Sequence, residues 1–494
     1  MSLGLGLDVG TQGTKALLLD AESGAVVGRA SSAYGLLSGL EPGAAEQHPR
    51  TWRAAVACVI REVLATSGRD PAEIVAVGVS GQQHGCVTLD AQDEPVRPAK
   101  LWCDTVTSEE ASELSAALGH PVPTGFTASK LLWLARREPE NWARTKRVLL
   151  PHDYINQLLT GRTAMEVGDA SGTGLFDVVQ RRFDDGAIAA FDQLTKSSGL
   201  ASRLPELLDP AFPQAPLGLV SPTAAAEFGL AVGTLVSRGG GDNMMSAVGS
   251  GATSPGVVTV SLGTSGTVFA HAEQPIVDPE GLIAPFCGST GGWLPLLCVM
   301  NLTGVTEEVR AGFGMDHGAL TTAARQVPAG CDGLLWLPYL NGERVPDLPT
   351  ATGSLLGMRA GHLRPGVLYR AAMEGTSLNL AWGVERLRQL GLTTRELHLV
   401  GGAVRNPLWR EILAACLGTP VLPLEEPESA ALGAAMQSLW CWHGQSGKSV
   451  SLQDLTAQCI RTTDTVTEPD QSLCAEYAEL GARFRAQVQG LYPS

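Results

Sequence analysis

Charge is scarce in this 494-residue chain: Asp, Glu, Lys and Arg make up only 17%, against about 25% in an average soluble domain. The charge present leans acidic, with a net of −15. Proteins that hold nucleic acid non-specifically need a basic face, so no nucleic-acid partner is expected. No run approaches the roughly 18 apolar residues of a membrane span, so no membrane partner is expected either. The opening MSLGLGLDVG lacks a basic segment and reaches Asp8 early, unlike a secretory signal. None of the ten cysteines forms a CxxC pair or stands at Cys/His ligand spacing. Scattered thiols of this kind point to a reducing, cytoplasmic setting, each acting as a small buried hydrophobe.

Other residue classes are plentiful. Apolar residues at 44% supply a sizeable core and exclude general disorder. The 58 glycines are about 12% of the chain, against about 7% on average, and show no G-X-Y period, which excludes collagen. At about 150 residues per domain, the length suggests two to four domains.

The chain echoes itself. Residues 10–14 read Gly-Thr-Gln-Gly-Thr, and residues 263–267, about half the chain further on, read Gly-Thr-Ser-Gly-Thr. Each follows a short β-prone run, 3–9 and 257–262, and leads into another, 15–20 and 268–270. A strand, a GTxGT turn and a strand, used twice, argue for two similar domains facing a shared cleft. Between the echoes, helix-like and strand-like patterns alternate. Helices are expected over 50–67, 108–118, 130–137, 151–160, 364–390 (with an interruption), 407–417 and 429–442, and strands over 74–80, 396–400 and 420–424. This alternation means an α/β architecture with helix-covered sheets. The division is placed at 246/247, inside the Gly/Ser-rich stretch 245–255. Residues 221–226 are expected to be a loop, and 472–491 a surface helix.

The residues with chemistry cluster at the ends of the expected strands. Asp8 closes the first, just before the first turn; a carboxylate there can hold Mg²⁺ or its waters, or merely brace a hairpin. The turn residues Thr11, Gln12, Gly13, Thr14 and Lys15 offer backbone N–H groups, hydroxyls and a cation to phosphate oxygens. Asp242 follows three glycines at a strand-to-helix turn, as a general base or as an N-cap. Gln83 and His84 follow the strand 74–80 and, like Trp102 and Asp104, suit a sugar pocket; a satisfied, partly buried histidine is the plainer reading of His84. Gly401-Gly402, ahead of Asn406-Pro407, gives room for a planar base or a backbone. The stretch 444–449, Gly-Gln-Ser-Gly-Lys-Ser, is two residues too short between its glycines for a P-loop.

Together these residues resemble the FGGY family of carbohydrate kinases from about residue 3 to residue 442. LGLDVGTQGTKALLLD (5–20) is similar to the family's first phosphate loop, SLGTSGT (261–267) to its second, and GGAVRNPLW (401–409) to its adenosine motif. SGQQHG (80–85), GGGDN (239–243) and LPYLNGERVP (337–346) resemble the versions in the xylulose-phosphorylating branch, and 126–137 and 353–374 resemble the two family signatures. The chain departs from the pattern at Cys103, Val106, Arg137 and Val367, where the family usually has Asn, Arg, an amide or carboxylate, and a polar residue.

The resemblance implies an actin-like, hexokinase-like (ribonuclease H-like) ATPase fold of two domains around a cleft, sugar in the first half and ATP on the second. It implies ATP contacts at Gly263, Thr264, Gly304, Gly402 and Asn406, with Asp8, Thr11 and Thr14 facing Mg²⁺ and the moving phosphate. It places the ketose on Gln83, His84, Asp242 and Asn243 with Trp102 and Asp104 nearby, and makes Asp242 the base that takes the 5-hydroxyl proton. It also implies a homodimer. Two alternatives stand beside it: a kinase of the same fold for ribulose or gluconate, and a catalytically silent sugar sensor or assembly protein.

Overall fold

The computed structural model describes residues 1–197, 199–463 and 466–493. Two large sheets carry the fold. The first uses Leu3–Val9 (β1), Gly13–Asp20 (β2), Val26–Ala33 (β3), Ile74–Gly81 (β4), Gly218–Leu219 (β5), Leu235–Val236 (β6) and Gly240–Gly241 (β7). Its order is β5-β6-β4-β1-β2-β3, with β7 also paired to β4. The second uses Gly256–Leu262 (β8), Gly266–Ala270 (β9), Ala284–Cys287 (β10), Trp293–Val299 (β11), Thr394–Val400 (β12) and Val421–Pro423 (β13), in the order β10-β11-β9-β8-β12-β13. The sheets are built alike. The central strand runs antiparallel to its successor and parallel to a later strand: β1 beside β2 and β4, β8 beside β9 and β12. The two Gly-Thr turns therefore occupy equivalent places.

The alternation in β1 shows why the sequence folds this way. Successive side chains of a strand point to opposite faces. Leu3, Leu5, Leu7 and Val9 go to one face and pack with Trp52, Val56, Ile60 and Val63 of helix Pro49–Ser67 (α1). Each such buried leucine contributes about 1.5–3 kcal/mol. Gly4 and Gly6 go to the other face, against helix Ser429–Gln445 (α2). A Cβ on Gly6 would stand 1.9 Å from Ala431 O, and one on Gly78 of β4 2.0 Å from Ala434 O. Only bare backbone lets α2 come this close. The helix Asp242–Gly249, which crosses α2, is fitted the same way: a Cβ on Gly433 would lie 1.8 Å from Met245 O, and one on Gly249 1.9 Å from Ser429 O. Thus α2, late in the chain and following the second sheet, roofs the first sheet.

Three expectations change. Residues 221–226 are not a loop: Pro222–Phe228 is a helix. Ser221 caps it through Ala224 N, Pro222 opens it, three alanines favour it, and Gly229 ends it in the left-handed region. The helix Gln471–Leu491 is not merely superficial, since it buries Tyr477, Phe484 and Val488 against the second domain. The interruption expected near residues 364–390 is absent. Pro365–Gln389 is one helix of 25 residues, whose Gly375 lets the backbone of Trp336 approach.

Replacing Gly433 by Ala should lower stability by about 2–3 kcal/mol, the cost of forcing an overpacked contact apart. Equilibrium urea unfolding with an unchanged slope checks it.

Candidate active site

The parallel strands β1, β4 and β7 end in register. Asp8 stands beside Ser80 and Ser80 beside Gly240; Val9, Gly81 and Gly241 form the next row. One step further the chain presents Gly10, Gln82 and Asp242. One edge of the first sheet thus gathers two carboxylates and a Gly-Thr turn. Ser80 Oγ donates to Asp8 Oδ1 at 2.8 Å, and among the described residues no side chain donates to Oδ2. Burial raises the Asp8 carboxyl above its ordinary value against the pull of Ser80 and Lys15. Asp242 keeps some solvent access, yet it is walled by protein. Lost hydration, with the charges of Asp8 and Asp169, pushes its carboxyl up to about 7. Its Oδ1 accepts from Asn243 N at 2.9 Å, so the N-cap reading fails: the helix it opens receives no side-chain cap from it at N2 or N3, and Gly241 is the N-cap.

Gln83, Asn243 and Asp242 form one hydrogen-bonded group. Asn243 Nδ2 donates to Gln83 Oε1 at 2.6 Å and lies 3.2 Å from Asp242 Oδ1. His84 has a left-handed backbone, φ 62°, which aims its ring between Phe126 and Phe286, at centroid distances of 5.1 and 5.3 Å. Phe286 belongs to the second sheet, so both domains touch this histidine. Its Nδ1 is 3.3 Å from Asp169 Oδ1. Behind it, His152 bridges Asp169 at 3.0 Å and Asp153 at 2.9 Å. Burial alone would lower the His152 imidazole, but the two carboxylates outweigh it and hold it well above its usual value.

The first Gly-Thr turn is braced by groups that the sequence did not single out. Thr11 Oγ1 donates to Gln82 Oε1 at 3.0 Å, and Gln82 Nε2 donates to Gln47 Oε1 at 3.0 Å. Gln47 Nε2 returns to Thr11 O at 2.6 Å, and Tyr34 OH donates to Gly10 O at 2.9 Å. Gln82 was visible as part of SGQQHG. Gln47 lies in a two-residue strand with no pattern to mark it. Thr14 is buried and meets Tyr34 OH at 3.1 Å, while Gln12 and Gly13 form the turn's exposed tip and the start of β2. Lys15 lies beside Asp8 on β2 and forms an ion pair with Glu428.

Trp102 and Asp104 separate. The Trp102 indole is partly exposed and donates to Thr11 Oγ1 at 3.1 Å, so it borders the turn. Asp104 has no exposure at all. It accepts from Ala45 N at 2.9 Å, Lys100 Nζ at 3.1 Å and Val106 N at 3.2 Å. It sits behind the wall and fixes the loop that carries Trp102, because every lone pair it could offer a sugar is turned inward. Lys130 is likewise internal: it donates to the carbonyls of Thr124, Gly125 and Phe126. Burial brings its ammonium down to about 7.

On the second sheet, Gly263 and Thr264 form the turn after β8. Their carbonyls accept from Thr303 N and Leu302 N, both at 3.0 Å. Gly304 stands in the first turn of helix Thr303–Phe313, which has no side-chain cap. A Cβ on Gly402 would meet nothing within 4 Å, so open space adjoins the β12 end. Asn406 caps helix Pro407–Leu417 through Leu408 N and Trp409 N, and its Nδ2 donates to Thr321 Oγ1 at 3.0 Å. Its oxygen is committed to the helix. Among the described residues, no group of three or more His, Cys, Asp or Glu could hold a metal ion.

Family comparison agrees with this geometry. Residues 3–249 match the N-terminal domain of the FGGY family of carbohydrate kinases, and residues 258–442 its C-terminal domain. The chain belongs to the FGGY carbohydrate kinases. Like other kinases of the family, it acts on a sugar with ATP. Among its relatives, a xylulose kinase of Haemophilus influenzae is 39% identical over 88% of this chain and 90% of that protein. A xylulose kinase of Streptomyces coelicolor is 37% identical over 92% and 91%. The crystal structure of a xyloylose kinase from Brucella ovis superposes with a TM-score of 0.89 at 32% identity, covering 99% of both chains. The two-domain fold is that of sugar kinases of the actin-like ATPase type.

The raised Asp242 carboxyl has a stability consequence. A carboxyl held neutral in the fold favours folding below its unfolded value of 3.8, and that benefit is lost as pH rises through about 7. At pH 8 the folded protein therefore carries a buried charge at a cost. Asp242→Asn should unfold later than the parent at pH 8, by about 1–2 kcal/mol, with the difference vanishing near pH 4. Thermal or urea melts at the two pH values check it.

Proposed function

We propose that the protein phosphorylates D-xylulose at its 5-hydroxyl, giving D-xylulose 5-phosphate and ADP. The observation that carries this is the placement of Asp242 beside Gln83 and Asn243 at the sheet edge that also bears Asp8 and the first Gly-Thr turn, in a chain whose relatives over about nine-tenths of its length are xylulose kinases. Gln83, His84 and Asn243 hold the ketose, with Trp102 along one side. Asp104 acts from behind by holding Trp102 in place. ATP lies on the 247–494 half, along Gly263, Thr264, Gly304, Gly402 and Asn406, and the 1–246 half presents Thr11–Lys15 to its terminal phosphate.

Asp242 takes the proton of the 5-hydroxyl as that oxygen bonds to the γ-phosphorus. The bond from the γ-phosphorus to the bridging oxygen breaks, and ADP leaves. A carboxyl near 7 suits a base working near neutrality. Phosphoryl transfer needs little covalent help; positioning and charge stabilisation supply most of it. The residues fit Mg²⁺, which kinases hold through one or two carboxylates plus phosphates rather than a full protein cage. Asp8, with Oδ2 free of side-chain donors, is the residue to hold it. When bound, the ion neutralises charge on the phosphates. The acidic balance of −15 speaks against a nucleic-acid partner, and the scattered cysteines support a cytoplasmic enzyme.

Asp242→Asn should lower kcat by about 10²–10⁴-fold with KM values near those of the parent; near-parental turnover excludes Asp242 as the base. An ADP-release assay across D-xylulose, D-ribulose, L-ribulose, gluconate and glycerol tests the substrate. Preference for D-xylulose is expected. Preference for another sugar moves the assignment to that sugar and points to the Trp102–Val106 segment, where Val106 replaces the usual arginine.

A further inference from the structure

One buried carboxylate near the second phosphate turn has no part in the reading so far. Glu343 of the segment 337–346 is 3% exposed. Its Oε1 accepts from Met300 N at 2.6 Å and Arg344 N at 2.8 Å. Its Oε2 accepts from Asn301 Nδ2 at 3.1 Å and Asn379 Nδ2 at 3.3 Å. No Lys or Arg side chain pairs with it among the described residues. N–H donors meet the carboxylate instead, two of them from a single turn, Met300-Asn301, and burial still raises the carboxyl above its ordinary value. The same Asn301 donates to Gly342 O at 2.6 Å and accepts from Asn341 N at 3.3 Å. Asn379 is fully buried in the long helix Pro365–Gln389 and also donates to Val345 O at 3.1 Å. The carboxylate therefore pins the 300–301 turn to a rigid helix.

That turn continues directly into the nucleotide side of the cleft. Leu302 N and Thr303 N hold the carbonyls of Thr264 and Gly263, and Gly304 lies in the first turn of the uncapped helix. Gly304 N also points at Thr264 O, at 3.5 Å, so this helix end is docked on the same turn. The chain of contacts runs from Asn379 to Glu343, to Met300-Asn301, to Leu302-Thr303, to Gly263-Thr264.

We propose that Glu343 is a positioning residue for ATP: by holding the 300–301 turn it sets the second Gly-Thr turn and the adjoining helix end at the spacing the nucleotide phosphates require. The inference rests on ATP lying along Gly263, Thr264 and Gly304. Glutamine at 343 is the sharpest probe, because it keeps the shape but turns an NH₂ group toward two donors that have lost their acceptor.

The test pairs Glu343→Gln with Asn301→Ala, which removes that side chain's ties to Glu343, Gly342 and Asn341 but keeps the carboxylate and its bond from Met300 N. Glu374→Gln is the control: Glu374 is an equally buried carboxylate of the same domain, held by Arg370 and Tyr477. Binding of MgADP by calorimetry and KM for ATP and for sugar are measured alongside melting temperature. Glu343→Gln should weaken MgADP binding and raise the KM for ATP about tenfold, with the KM for sugar within twofold. Asn301→Ala should move the same two quantities by a smaller factor. Glu374→Gln should lower the melting temperature without moving either. Equal nucleotide shifts in Glu343→Gln and Glu374→Gln, or parallel shifts for sugar and nucleotide, overturn the proposal. Failure of the parent to turn over D-xylulose bears on the substrate alone, since MgADP binding is read without any sugar. Failure of the parent to bind MgADP overturns the ATP site itself.

Discussion

Everything at the cleft depends on how closely helix α2 lies on the first sheet. Protein interiors are packed near crystal density, so a helix seated a methyl group too high would tilt the sheet beneath it and displace β1, β4 and β7 together. Gly6 and Gly78 keep side chains out of that seat, and Gly249 and Gly433 do the same where α2 crosses the helix Asp242–Gly249. The seat also joins the halves. Glu428, just before α2, pairs with Lys15 on β2, and Glu426 pairs with Arg29 on β3. The second sheet's chain is thus tied to the first through apolar contact below and ion pairs at the rim. The pairs are partly exposed and are worth little singly; the apolar seat carries the energy.

The sheet edge so positioned is electrostatically expensive. Asp8 lies near the end of β1 and Asp242 just after β7, the two strands that flank β4, and both are raised by burial. Hydrophobic residues there would make a more stable protein. The site instead keeps its carboxylates short of hydration, the condition under which a metal, a phosphate or a substrate proton gains most from meeting them. Stability is given up where the chemistry is done.

The fold was largely legible because its signals are local. The GTxGT echo, the β-prone run 3–9 and the Gly401-Gly402 pair ahead of Pro407 each work within a few residues. The helix 222–228 was missed because Ser-Pro-Thr-Ala-Ala-Ala resembles a low-complexity loop, although its capping chemistry spells a helix start. At the site, strand-end polar residues stood out because strand, glycine and polar residue follow one another in sequence. Asp104 looked like a sugar ligand for the same reason. Its true surroundings, Lys100, Ala45 and the Trp133 face beneath Lys100, are assembled by tertiary contacts that no local pattern encodes. Gln47, Asp169 and Glu343 were invisible or unassigned on the same ground.

The borrowed roof has a consequence for synthesis. β1 to β4 emerge from the ribosome within the first 81 residues, but α2 ends only at Gln445. At about 5–20 residues per second, the glycine-lined face of the nascent sheet waits roughly 20–70 s for its cover. During that interval it is an apolar surface with backbone amides near the exterior, open to the wrong helix or to another chain. The architecture that fixes the cleft so firmly in the finished enzyme thereby makes its biogenesis a long wait for a late segment.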